Sequence, residues 1–287
     1  MTPIVWHCRH HRFTLTHRPL VMGVVNVTPD SFSDGGQFVD PQMAVDFGLK
    51  MIVEGADILD VGGESTRPGA TPVTEAEELR RVIPVIEGLV RQNPDAVISI
   101  DTMKPTVART AYDAGAAIIN DVSGFRDPAM IRVATETDAG LVVMHMPGTP
   151  QTMNDNPQYH DIVAEVRDYL QRQVNQLIEA GVEGTRIAID PGIGFGKFTD
   201  HSLTLLANLD ALQEMGRPLC LGVSRKGFIG KITGRDTPDR MAGSLAVGCF
   251  ALATNSAQIL RVHDVAPTRD AAVLWEAISQ RRTLRTL

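Results

Sequence analysis

One pattern limits what this chain can fold into more than any other: a short apolar run followed by an amphipathic stretch, repeated eight times at intervals of roughly 35 residues. The runs cover residues 21–27, 58–61, 97–101, 118–121, 141–144, 187–190, 219–223 and 259–262. Each is rich in Val, Ile or Leu and bounded by Gly, Pro or polar residues, as strands buried on both faces of a parallel sheet are. Helix-like stretches follow at residues 41–54, 74–91, 105–114, 127–135, 159–180, 202–215, 238–253 and 268–281. Eight such alternations in 287 residues predict an α/β chain folded as a single (β/α)8 TIM barrel, one domain over its whole length. An apolar content of 43% is enough for the core of such a barrel. Residues 1–19 precede the first strand and are expected to form a short N-terminal cap over the barrel bottom.

Polar residues gather at the C-terminal ends of the runs: Asn26, Asp60, Asp101, Asn120 and Asp121, His145, Asp190, Ser224 to Lys226, then Arg261 and His263. Barrel enzymes build their sites on that face. An open doubly wound sheet would concentrate its chemistry at one switch point instead. Arg261 and His263 lie two apart, so strand alternation sends both side chains to one face, where a cation and an imidazole form an anion site. Ser224 and Lys226 repeat that spacing, and a continued strand would place them together with Arg225 opposite. Asp101, Asn120 and Asp190 supply acceptors and an amide that suit a flat heterocycle offering donors along one edge. Met144 and Met146 share a face and offer soft apolar surface, or serve the core.

Two loops look like mobile elements at the mouth. Residues 26–36 carry turn formers at both ends and Phe32 between them. Residues 62–70 combine glycines, which let backbone approach a ligand, with Arg67 as a planar fork for an anionic group. The stretch GIGFGKF at residues 192–198 resembles a phosphate loop but has three residues between its outer glycines where that motif needs four. It reads instead as a tight turn with Phe195 as a wall. His7, His10, His11 and His17 lack a nearby carboxylate or fixed spacing and read as a solvated basic cap, not a metal site.

Composition excludes other classes. The net charge of −7 argues against a nucleic-acid partner, though a local basic cluster still accommodates a small anion. No run approaches ~18 apolar residues, so no membrane span is expected. The first 18 residues lack a signal-peptide core. Three scattered cysteines (Cys8, Cys220, Cys249) fit a reducing compartment, so a cytoplasmic location is expected.

Seven segments together resemble the dihydropteroate synthase family. They are MGVVNVTPDSFSDGG at residues 22–36, DVGGESTRPG at 60–69, SIDT at 99–102, INDV at 119–122, DPGIGFGK at 190–197, SRK at 224–226 and RVHD at 261–264. They occur in the family's order, and the first two are long enough to be specific. The resemblance implies an enzyme of folate biosynthesis, the target of sulfonamides, that condenses a hydroxymethyl-dihydropterin pyrophosphate with p-aminobenzoate. It implies Asp101, Lys226, Arg261 and His263 as catalytic residues. The pterin would be bound by Asp101, Asn120, Met144, Asp190, Phe195, Gly222, Lys226 and Arg261. The pyrophosphate would be held by Asn26, Thr66, Arg261 and His263, with Asn26 also reaching Mg2+. The p-aminobenzoate site would comprise Phe32, Thr66, Arg67, Pro68, Phe195, Ser224 and Lys226. It also implies a homodimer through the last helices, and residues 241–253 are apolar on nearly all sides, as an interface helix would be.

Two rival readings share the fold. A methyltransferase barrel that takes its methyl group from methyltetrahydrofolate needs neither a pyrophosphate grip nor the Phe32 and Pro68 loops. A catalytically silent pterin-binding paralogue would not need candidate residues at every strand end. Pyrophosphate departure ahead of amine attack is the expected order of events, because an arylamine needs no base and the basic residues suit the leaving group.

Overall fold

A strand that is apolar on both faces has to be covered on both faces, and that requirement shapes this molecule. The computed structural model describes residues 4–15, 18–28, 40–67 and 69–281. Two strands, β1 (Ile4–Cys8) and β2 (His11–Leu15), form an antiparallel hairpin. The eight that follow are β3 (Leu20–Asn26), β4 (Ile58–Gly62), β5 (Ile98–Asp101), β6 (Ile118–Asp121), β7 (Gly140–Met144), β8 (Ile187–Asp190), β9 (Cys220–Leu221) and β10 (Ile259–Val262). They pair in parallel in the order β8-β7-β6-β5-β4-β3-β10-β9. A parallel bridge from Ile189 to Leu219 joins the two ends, so the sheet curls into a nearly closed barrel.

Helices α1 (Pro41–Val53), α2 (Glu75–Gln92), α3 (Pro105–Asp113), α4 (Pro128–Glu136), α5 (Ile162–Glu179), α6 (Thr199–Ala207), α7 (Asp210–Gln213), α8 (Gly227–Thr233), α9 (Met241–Ala253) and α10 (Val265–Ser279) occupy the connections. Their starts are written locally. Asp40, Thr74, Asp127 and Asp161 cap α1, α2, α4 and α5 by accepting backbone N–H bonds, and Pro opens α1, α3 and α4. No helix among the described residues is long and apolar enough to cross a membrane.

The strand period of two builds a floor and a site from the same residues. Ile58, Val97, Ile118, Val142, Ala188, Cys220 and Ile259 cluster inside the barrel. Trp6, Cys8 and Leu15 of the small N-terminal hairpin, together with Ile4 and Phe13, pack on that cluster at the barrel bottom. Trp6 is fully buried and its indole N–H donates to the Arg186 carbonyl at 2.9 Å. Gly140 has no room for a Cβ because Cys8 Sγ would lie 2.3 Å from it. Two residues further along those strands, facing the other mouth, stand Asp60, Asn120, Met144, Asp190, Gly222 and Arg261, with Asp101 four residues beyond Val97.

Three expectations about elements need correction. The helix expected over residues 202–215 begins at Thr199 and breaks at Asn208, whose backbone leaves helical geometry (φ −128°, ψ 34°). The strand expected over residues 219–223 keeps only Cys220 and Leu221. A short helix, α8, follows it, too rich in glycine to announce itself, and ends at Gly234 with φ 70°.

Candidate functional site

Arg261 organises the mouth. Its Nε donates to Asp60 Oδ2 and its Nη2 to Asp101 Oδ2, both at 2.6 Å. Asn120 Nδ2 donates to the same Asp60 oxygen at 3.1 Å. The guanidinium plane is thereby fixed by two carboxylates from neighbouring strands, and both interactions strengthen its hold on its proton. Asp60 is the residue that reading the sequence missed. It was visible only as one strand-end aspartate among several, and its task is to orient Arg261 and Asn120.

The ring of acceptors is incomplete in a specific way. Asp101 Oδ1 is buried and takes no hydrogen bond from any described residue. Asp190 Oδ1 accepts the Gly192 N–H at 2.7 Å, while its Oδ2 faces Gly222, where a Cβ would lie 3.9 Å from it and 3.9 Å from Arg261 Cδ. Gly222 thus keeps open the space between a carboxylate and the Arg261 stem. The unmatched buried oxygen of Asp101 calls for a ligand with a matching donor. Burial raises Asp101 toward about 7 against the pull of Arg261, helped by Asp60, Glu78 and Asp121. Burial also raises Asp190, and Lys226 opposes it.

Lys226 and Phe195 form one wall. Lys226 Nζ donates to the Ile193 carbonyl and sits 4.5 Å from the Phe195 ring centroid. Burial lowers Lys226 to about 8, with Asp190 raising it and Arg261 lowering it further. Met144 packs with Val122, Met146 and Met153, and Phe195 and Met103 lean on that cluster. Behind the wall, Lys197 is almost fully buried. Its Nζ lies 2.7 Å from His145 Nδ1 and 3.0 Å from the Phe195 carbonyl, which staples the glycine-rich turn to the end of β7. Burial holds Lys197 well below the usual lysine range and His145 at about 2. A lysine inside an otherwise apolar turn was the available signal for this staple.

The pair expected at Ser224 and Lys226 does not share a face. The strand ends early and the chain turns at Arg225, which has φ 56°. Ser224 Oγ accepts the His263 N–H and lies 3.1 Å from His263 Nδ1, whereas Lys226 faces Asp190 and Phe195. Arg225 turns to Asp264. Arg261 and His263 do share the mouth, but His263 is neutral: burial, then Arg261 and Arg225, lower it to about 4. Arg67 adds a smaller push in the same direction. Thr66 is half-buried and Arg67 exposed on the loop after β4. Asn26 ends β3 and is half-buried there. Phe32 and Pro68 lie outside the described residues, as does His17.

Among the described residues no cluster of three or more His, Cys, Asp or Glu side chains could hold a metal. Of the residues expected to hold a metal, Asn26 stands at the end of β3, where its amide oxygen could join water and substrate oxygens around a hard cation such as Mg2+.

Residues 22–263 match the family model described as pterin binding enzyme. Dihydropteroate synthase of Escherichia coli (strain K12) is 45% identical over 263 residues, covering 92% of this chain and 92% of that protein. The Xanthomonas albilineans dihydropteroate synthase solved with 4-aminobenzoic acid is 48% identical, with a TM-score of 0.91 over 98% of this chain and 100% of that one. A second structure of that enzyme, in complex with 7,8-dihydropteroate, is 45% identical with a TM-score of 0.87 over 97% and 100%.

Proposed function

This chain belongs to the dihydropteroate synthase family of pterin-binding transferases, and from that premise we propose how its own residues carry the reaction. The amine nitrogen of p-aminobenzoate forms a bond to the methylene carbon of 6-hydroxymethyl-7,8-dihydropterin pyrophosphate. The carbon–oxygen bond to pyrophosphate breaks, and the amine gives up one proton to solvent. The observation that carries this reading is the unmatched buried acceptor Asp101 Oδ1, on a carboxylate whose other oxygen holds the clamped Arg261, across the mouth from Asp190 and Lys226.

The pterin edge bonds to Asp101, Asn120 and Asp190, with Met144, Phe195 and Gly222 shaping the slot and Lys226 donating to a ring acceptor. Arg261 lies on the pterin face and, with Asn26, Thr66 and His263, holds the pyrophosphate. Phe195, Ser224, Lys226, Thr66 and Arg67, together with Phe32 and Pro68, shape the p-aminobenzoate site. Asn26 would hold Mg2+, which supplies positive charge to the pyrophosphate oxygens when bound. His263 enters as a neutral donor, because at about 4 it is uncharged at pH 7.

Pyrophosphate departs before the amine attacks. An arylamine is already neutral at pH 7, and His263 is too weak a base to activate it further. Asp101 opposes the positive charge left on the pterin methylene. The whole chain acts as one pterin-binding unit, with the hairpin β1–β2 as its floor, in the cytoplasm and as a homodimer. The dimer reading rests on the apolar residues that α8 to α10 expose, among them Phe250, Leu274 and Ile278. The test of function is direct: purified protein, both substrates and Mg2+, with dihydropteroate and pyrophosphate measured in equal amounts. Failure to form both would overturn the assignment.

A further inference from the structure

Outside the ring of strand ends stands a second charge cluster that the reaction does not use. Lys104 Nζ donates to Glu64 Oε2 and, at 2.5 Å, to Glu78 Oε2. Glu78 lies on α2 and is completely buried, and its Oε1 has no partner among the described residues. Gly63 lets the end of β4 reach it, since a Cβ there would stand 3.1 Å from Glu78 Cγ and 2.7 Å from Val82 Cγ1. A buried carboxylate needs a cation, and Lys104 supplies it.

The same lysine reaches the loop that carries Thr66 and Arg67. Glu64 opens that loop, and its Oε1 accepts the N–H of Val73, nine residues on, at 3.1 Å. One carboxylate therefore ties both ends of the loop together and is itself held by Lys104. At the start of the loop Arg81 Nη1 donates to the Gly63 carbonyl at 2.9 Å, and beyond Glu64 the bonds are local or lie at the rim: Arg67 N–H to Ser65 Oγ at 3.4 Å, Ala70 N–H to the Arg67 carbonyl at 3.1 Å, and Gln151 Nε2 to the Ala70 carbonyl at 3.3 Å. Lys104 follows Asp101 by three residues, and its N–H donates to Thr102 Oγ1 at 3.1 Å, so its backbone moves with the end of β5. The side chain caps nothing on α3 and is free to turn toward Glu64.

We propose that Lys104 is a positioning residue which, through Glu64, fixes the loop bearing Thr66 and Arg67 against the end of β5 and so sets the affinity for the amine substrate. This rests on the reading of that loop as part of the p-aminobenzoate site. Lys104 bonds to two carboxylates that raise its pKa against burial, so the anchor remains charged in the neutral range. The anchor acts on the geometry of the loop and not on the pterin ring, whose partners are Asp101, Asn120 and Asp190.

The experiment is steady-state kinetics with each substrate varied, on Lys104→Met, Lys104→Arg and Glu64→Gln. Lys104→Met and Glu64→Gln are expected to raise the p-aminobenzoate KM about tenfold while the pterin pyrophosphate KM stays within about twofold. Lys104→Arg restores the wild-type value, because a guanidinium spans both carboxylates. If Lys104→Met fails to fold with Glu78 left buried and unpaired, Lys104→Met/Glu78→Met provides the same readout. Both KM values moving together, an unchanged p-aminobenzoate KM, or no rescue by arginine would overturn the proposal. A wild-type chain that makes no dihydropteroate would overturn the functional reading itself, which the variants cannot do.

Discussion

At the scale of single residues, the account depends on oxygens with defined partners. Gly192 already claims one oxygen of Asp190, at 2.7 Å. In Asp190→Asn the amide oxygen would stay on that N–H and the NH2 group would face the ligand's donors. Losing a charged acceptor and gaining a donor clash costs about 3 kcal/mol, roughly a hundredfold in affinity. Calorimetry with a pterin analogue checks this, and near-normal affinity in a folded variant would remove Asp190 from the site. Lys226 provides a pH signature. Burial lowers it to about 8, so its charge is present below that pH and lost as pH rises through it. Catalytic efficiency for the pterin substrate is expected to fall above about pH 8, and Lys226→Arg should move that limb upward. Stability takes the opposite sign: the unfolded chain binds the extra proton above pH 8, so this lysine makes folding more favourable as pH rises toward the ordinary lysine range. A basic limb that ignores Lys226→Arg would contradict this. Alternation along a strand made Arg261 and His263 legible in the sequence, because β10 runs straight into them. It failed at Ser224 and Lys226 because the chain turns at Arg225 and a helix begins at Gly227. Asp60 was undervalued because no single-residue pattern marks an aspartate that serves another side chain.

At the scale of elements, the barrel strands were legible because both of their faces are buried, so that each reads as an unbroken apolar run. The hairpin β1–β2 was harder to read. Its buried residues, Trp6 and Cys8, alternate with histidine and arginine, and only the assembled floor shows what they cover. Trp6→Ala is expected to destabilise the fold by about 3–5 kcal/mol, through lost packing and the stranded Arg186 carbonyl. The pterin affinity of the folded variant should be unchanged, since floor and mouth are separate layers. Denaturant unfolding measures the first effect and calorimetry the second. A loss below about 1 kcal/mol would show that the hairpin does not seal the barrel.

At the scale of the whole molecule, helices α8 to α10 leave apolar side chains in solvent, with Phe250 at 47% and Ile278 at 65% exposure. A second copy would cover them, and Phe250→Asp should shift sedimentation from dimer to monomer. A monomeric wild type would contradict the dimer. The larger claim concerns how the mouth is divided: carboxylates toward the pterin, and Arg261, neutral His263 and the Asn26 metal site toward the pyrophosphate. In that arrangement the protein acts on the leaving group and not on the amine. The most direct measurement is rapid quench of the enzyme with Mg2+ and pterin pyrophosphate in the absence of p-aminobenzoate. The account predicts slow pyrophosphate release with a pterin adduct of water or of an added amine, and cleavage in the full reaction that is insensitive to arylamine nucleophilicity. No cleavage without p-aminobenzoate, together with a rate that tracks the nucleophilicity of substituted arylamines, would contradict it and establish concerted displacement.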